Sequence, residues 1–160
     1  MIKKIISGGQ TGVDRAALDF AIKHNIAHGG WIPKGRLAED NPLSDHYHLK
    51  EMPTSSYPAR TERNVLDSDG TLIVSRGKLT GGSDLTRKFA ILNGRSWIQI
   101  DLNQTDHTDV AAKIKEWIDQ EEVEILNVAG PRASKDPHIY NKVMEILELV
   151  YTGAINGHKT

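Results

Sequence analysis

The stretch KKIISGGQTGVDRAALDFAI, residues 3–22, decides how the rest of the chain is read. It opens on KKIIS (3–7), a short apolar run of the kind that forms a buried strand. It closes on residues whose Ala17, Phe20 and Ala21 share one helical face, which predicts a helix from about Val13 to Asn25. Between the two lie Gly8, Gly9 and Gly12, with Gln10 and Thr11 among them. A strand that turns through glycines into a helix is the first half of a parallel strand–helix–strand unit.

The unit recurs along the chain. TLIVS (71–75) is a second apolar run, and Leu85, Phe89 and Leu92 mark a helix near 84–93 behind it. SWIQIDL (96–102) leads to a stripe of Val110, Ile114, Trp117 and Ile118, capped near Asp106 or Thr108. EILNVAG (124–130) is the last strand, and Asp136-Pro137 opens a helix running to about Tyr151. A weak strand around Ala27–Trp31 and a short helix near Thr61–Leu66 bracket an irregular segment, residues 29–60. The alternation predicts an α/β fold with a mostly parallel five-stranded sheet covered on both faces. The short second strand suits an edge, which gives the order 2-1-3-4-5 and a crevice between the first and third strands. Residues 1–152 read as one domain and 153–160 as a flexible tail.

Bulk composition narrows the function classes. The 160 residues carry a net charge of −1, so no basic excess points to nucleic acid or to a membrane surface. No cysteine is present, which removes disulfides and thiolate chemistry. MIKKII is too short for a signal peptide, and no apolar run reaches the roughly 20 residues of a membrane helix. The expectation is a cytoplasmic protein.

Three glycine-rich segments each follow a predicted strand and lead towards a helix: SGGQTGVD (7–14), SRGKLTGGSDLT (75–86) and NVAGPRAS (127–134). In a parallel sheet such turns share one edge, where helix N-termini present unpaired amides to an oxyanion. None has the spacing of a dinucleotide or P-loop fingerprint. Candidate ligand contacts are therefore the backbone at Gly8, Gly9, Gln10, Gly12, Gly81, Gly82 and Gly130, with hydroxyls from Thr11, Ser83 and Thr86. Arg15, Lys34, Arg36, Arg60, Arg63 and Arg132 are candidate anion clamps. Asp14 serves either the helix dipole or a ligand. Trp31 is a candidate aromatic wall, beside the polar Glu39 and Asp40. Asp69-Gly70 falls on the opposite edge and reads as an ordinary turn, while the orientation of Asp101 is left open. His46 and His48 lack a third ligand at fixed spacing, so no metal site is expected.

Five blocks, SGGQTGVDRAALDFAI, GGWIPKGRLAED, RTERNVLDSDGTLIVS, LTGGSDLT and LNVAGPR, together resemble the putative molybdenum carrier family over about residues 5–140. That family is similar to molybdenum cofactor carriers and, more distantly, to lysine-decarboxylase-like proteins that include the Lonely Guy phosphoribohydrolases. The family block carries Cys after the Trp, where Ile32 stands here, so no thiol role transfers. The resemblance implies a Rossmann-like three-layer sandwich whose glycine loops hold the phosphate of a nucleotide-like ligand. For carriers that ligand is the molybdenum cofactor (molybdopterin). The hydrolytic relatives use P-G-G-x-G-T-x-x-E; in TGGSDLTRK the pair Gly81 and Gly82 matches, and Lys88 replaces the glutamate. The expectation is thus a non-catalytic holder of a small phosphorylated ligand, with cofactor carriage or storage as its specific form. A nucleotide-processing hydrolase using Asp14 or Glu39 as base is the alternative, and a metabolite-sensing scaffold is a third. A homo-oligomer stays open.

Overall fold

The computed structural model describes residues 1–104 and 106–156. In chain order the first half contains β1 (Lys4–Ile6), α1 (Val13–Lys23), β2 (Ala27–Gly29), β3 (Trp31–Ile32), β4 (Lys50–Glu51) and α2 (Tyr57–Leu66). The second half contains β5 (Gly70–Ser75), α3 (Gly81–Leu92), β6 (Ser96–Asp101), α4 (His107–Gln120), β7 (Ile125–Ala129) and α5 (Ile139–Asn156). Helix α5 runs past Tyr151 into the segment expected to be a tail, of which residues 157–160 lie outside the described part. No helix among the described residues is long and apolar enough to cross a membrane.

The expected five-stranded parallel sheet is present, and its order corrects the sequence reading. The order is β2-β1-β7-β5-β6, so the last strand lies between the first and third strands of the sheet instead of at the far edge. Composition explains the placement. Leu126 and Val128 of β7 are fully buried, and the one polar residue between them, Asn127, donates to Thr71 Oγ1 (3.2 Å). By contrast β6 keeps most of its side chains half-exposed and accepts the edge. Counted from β7 as first strand, the order reads 3-2-1-4-5, that of a doubly wound dinucleotide-binding sheet. The topological switch therefore sits at β7 and β5, with β7 separating the two strands between which the crevice was expected.

Helices α1, α5 and α4 pack side by side, and α2 packs against α3. The main core joins Ile5, Leu72, Val74, Leu126 and Val128 of the sheet to Val13, Ala17 and Phe20 of α1, Ile114 of α4 and Val143 of α5. Each fully buried Val, Leu, Ile or Phe among them contributes about 1.5–3 kcal/mol. A satellite cluster of Leu18, Ile32, Leu43 and Leu49 holds the long segment after β2 onto the body.

That segment is ordered around Arg36. Its guanidinium donates to the carbonyls of Leu43 (2.9 Å), Ser44 (2.8 Å), Tyr47 (2.8 Å) and Leu49 (3.2 Å). Arg36 is thus a fastener inside the segment, turned away from the ligand edge where the sequence reading put it. Replacing it by alanine is expected to cost about 2 kcal/mol by leaving part-buried carbonyls without donors, read as a lower urea midpoint.

Candidate functional site

A cleft of about 150 Å³ opens at the C-terminal ends of β1, β7 and β5, where the switch point puts it. All three glycine-rich segments line it: Gly8, Gln10 and Asp14 from the first, Ser75 to Thr86 from the second, and Ala129 to Arg132 from the third. Helix α2 closes one side with Arg60, Thr61 and Asn64.

Helix α2 begins earlier than the sequence suggested. Ser56 accepts from Ala59 N (3.2 Å) and Pro58 occupies the first turn, which starts the helix at Tyr57. Arg60 is then a helical residue turned inwards, 9 % exposed, with Nη1 donating to Gly8 O (2.5 Å). Burial disfavours its charge and pushes its pKa down, although Asp14 pulls the other way. Asp14 itself is 8 % exposed and accepts from Gln10 N (3.2 Å) through Oδ2. Burial pushes its carboxyl up to about 6, against the opposing attraction of Arg60.

Gln10 is the third polar residue at this end, 6 % exposed. Its Oε1 accepts from Thr11 N (3.1 Å) and Glu39 N (2.7 Å), which fixes the amide orientation. Among the described residues Nε2 is left as a buried donor without a partner. Leaving such a group unsatisfied costs about 1–3 kcal/mol.

The opposite end is cationic. Helix α3 starts at Gly81, earlier than position 84, so the glycines form its first turn. Its N-cap residue Thr80 provides no side-chain cap, and Thr80, Gly82 and Ser83 face the cleft. Around Gly82 a Cβ would meet nothing within 4 Å. Arg76, Lys78, Arg132 and Lys135 also line the cleft, against Asp14 as its one acidic residue. Asp136 neutralises Arg76 (2.8 Å) and Glu39 lies 3.9 Å from Arg132. The ammonium groups of Lys78 and Lys135 have no ion pair among the described residues. A helix N-terminus flanked by two such lysines suits an oxyanion.

Nine of the residues singled out from sequence thus come together: Gly8, Gln10, Asp14, Arg60, Gly82, Ser83, Thr86, Gly130 and Arg132. Thr86 spends its hydroxyl on Gly82 O (2.8 Å). Other candidates hold the scaffold. Arg15 pairs with Asp40 (3.0 Å) and donates to Gly9 O (3.1 Å) behind the first loop, away from the cleft. Thr11 donates to Glu39 and accepts from Ala133 N (3.0 Å). Glu39 also takes the amide (3.0 Å) and hydroxyl (2.6 Å) of Ser134, so it staples the first loop to the third. Burial works against its charge, but these bonds prevail and hold its pKa below the usual carboxylate value.

Gly9, Gly12 and Gly81 lie beside the cleft without lining it, and Lys34 is exposed elsewhere. Trp31 is no wall of the cleft; its indole donates to Asp67 (2.7 Å), with Arg63 5.0 Å and Lys50 5.5 Å from the ring. Asp69 accepts from Glu124 N (3.1 Å) and Ile125 N (2.8 Å) on the opposite edge. Asp101 accepts from Gly77 N (2.8 Å) and Asn103 N (2.9 Å). His48 stacks on His28 (5.0 Å), and the described residues contain no group of three or more side chains suited to a metal ion.

Arg76, Lys78 and Lys135 are functional candidates that the sequence reading passed over. The first two stand inside SRGKLTGGSDLT and the third follows NVAGPRAS by one residue, so a basic side chain flanking each glycine turn was the available signal.

The model of the circularly permutated YpsA SLOG family matches residues 5–151. The crystal structure of a putative molybdenum carrier protein from Syntrophus aciditrophicus SB is 57 % identical in sequence. It superposes with a TM-score of 0.92 over 93 % of this chain and 94 % of that one. No curated protein matches the chain significantly. These likenesses bear out the family read from the five sequence blocks, and the central position of the last strand β7 is what a circular permutation of a doubly wound sheet produces. The chain belongs to the circularly permutated YpsA SLOG family.

Proposed function

We propose that the cleft binds a small phosphorylated, nucleotide-like ligand, with the molybdenum cofactor as its specific form, and that the protein holds this ligand without transforming it. The observation that carries the reading is the start of α3, which has no side-chain cap and where open space around Gly82 meets Lys78 and Lys135, neither of which has an ion pair among the described residues. The residues present fit the cofactor at its phosphate, which α3, Lys78 and Lys135 would hold. The cofactor supplies its own pterin sulfur ligands to molybdenum, and this chain, without cysteine, adds no thiolate. The similarity to a protein described as a molybdenum carrier supports the same reading.

Asp14 favours hydrolysis as a second reading, since a carboxyl with pKa about 6 inside a cleft suits a general base near neutral pH. Lys88, at the position of the glutamate in the hydrolytic relatives, is bound to Asp84 (3.2 Å) and does not line the cleft. Glu39 is occupied by its staple.

The test is calorimetric titration with inorganic phosphate, nucleoside monophosphates and the molybdenum cofactor, with chromatography of the mixtures afterwards. Binding without released base or phosphate is expected; released product establishes the hydrolase. Gly82→Ala is expected to leave stability within about 0.5 kcal/mol, because its Cβ enters open space. It should nevertheless weaken anion binding about tenfold by blocking approach to the α3 amides, and Lys135→Ala should do likewise. Unchanged affinity in both variants removes the α3 end from the site.

A further inference from the structure

The cleft has two chemically different ends, and the end away from α3 carries a donor–acceptor pattern of its own. Gln10, Asp14 and Arg60 meet there, each at least nine-tenths buried. The two amides on Gln10 Oε1 are both donors, so the carboxamide cannot be turned round and Nε2 remains a fixed donor without a partner among the described residues. Beside it Asp14 presents a carboxylate acceptor tied to Gln10 N (3.2 Å). Arg60 adds further guanidinium donors next to Gly8.

We propose that this end reads the edge of a 2-amino-4-oxopyrimidine ring, the edge that guanine and pterins share. The Asp14 carboxylate accepts from the ring N–H and the exocyclic amino group, while Gln10 Nε2 and Arg60 donate to the ring oxygen. Adenine fails on both counts, since it has no ring oxygen for Gln10 and only one amino group for Asp14. Leu79 and Pro131 supply apolar lining. The inference rests on the phosphorylated-ligand reading above, because the phosphate is what the α3 end would hold.

A carboxylate accepts from two N–H groups only when ionised. The groups acting on Asp14 are Arg60 from α2, Arg15 from α1 and Arg132 after β7, all positive, and burial outweighs them. Ring recognition therefore belongs to pH values above about 6 and fades below.

The experiment is isothermal titration at pH 7.5 and pH 5 with inorganic phosphate, AMP, IMP, GMP and XMP. GMP is expected to bind about tenfold or more tightly than AMP at pH 7.5, with that margin shrinking at pH 5. Asp14→Asn should lose GMP and gain XMP, because an amide N–H can donate to the 2-oxo group that replaces the amino group. Gln10→Met should weaken GMP and leave inorganic phosphate unchanged, with circular dichroism confirming the fold of both variants. Equal affinity for AMP and GMP overturns ring recognition and leaves anion binding standing. So does an equal loss of every nucleotide in Asp14→Asn, as a contact to ribose would give. Failure of the wild-type protein to bind any of the five overturns both readings.

Discussion

Gly12→Ala is expected to lower the stability of the protein by about 3 kcal/mol, among the largest effects of any single methyl group in this chain. Gly12 precedes α1 with φ 79° and ψ −127°, a conformation that side chains other than hydrogen rarely adopt. A Cβ there would run into the carbonyl oxygen of Pro131 and come within 2.9 Å of Ala133 N. Both obstacles are backbone, so no rotamer change relieves them. The first glycine turn must therefore separate from the third, breaking the bond of Val13 N to Pro131 O (3.3 Å) and pulling on the Glu39 staple. Urea denaturation reads the loss directly, with Gly82→Ala as the control in which a methyl group enters open space. Wild-type stability in Gly12→Ala would mean that the two loops are not in contact.

Asp14→Asn is expected to act in the opposite sense, raising stability by about 3 kcal/mol at pH 8. Asp14 is raised from its ordinary value of 3.8 to about 6, mainly by burial, so the folded state binds the proton more strongly than the unfolded chain. The sign follows. The contribution of Asp14 to stability is greatest below pH 3.8, falls between 3.8 and about 6, and is flat above, where the ionised carboxylate bears its full desolvation cost. Asparagine keeps an acceptor for Gln10 N without the charge, so the variant escapes that fall. Denaturation midpoints at pH 8 and pH 3.5 check this: the gap between variant and wild type should close at the lower pH. A gap independent of pH would assign the difference to packing instead of ionisation. A carboxylate retained at such a cost inside a cleft is the pattern of a residue kept for binding or chemistry.

The same residues show how far the sequence could be read. The periodicity of KKIIS followed by Ala17, Phe20 and Ala21 located β1 and α1, and the same argument found β5, α3, β6, α4, β7 and α5 within a few residues. It also placed three glycine turns at one edge, because strand-to-helix turns of a parallel sheet must share it. Asp14, Gln10 and Arg132 were legible in this way, as neighbours of those turns. Arg60 was found as a basic residue near a short helix, but its inward direction depends on a helix start set by Ser56 and Pro58, four residues earlier than the apolar pattern indicated.

By itself, then, the sequence determined the elements, their alternation and the edge that carries the glycine turns, since period, glycine and proline act through local backbone geometry. Only the tertiary structure decided that β7 enters between β1 and β5, which brings the third turn to the centre of the cleft. Strand order is a choice among pairings far apart in the chain, and side-chain burial on both faces of β7 makes that choice. Tertiary structure likewise divided the charged candidates. Arg15 on α1 found the carboxylate of Asp40 and Arg36 the carbonyls of its own segment, whereas among the described residues Lys78 and Lys135 have no ion pair, and a cation left without a protein partner is the one available to a ligand.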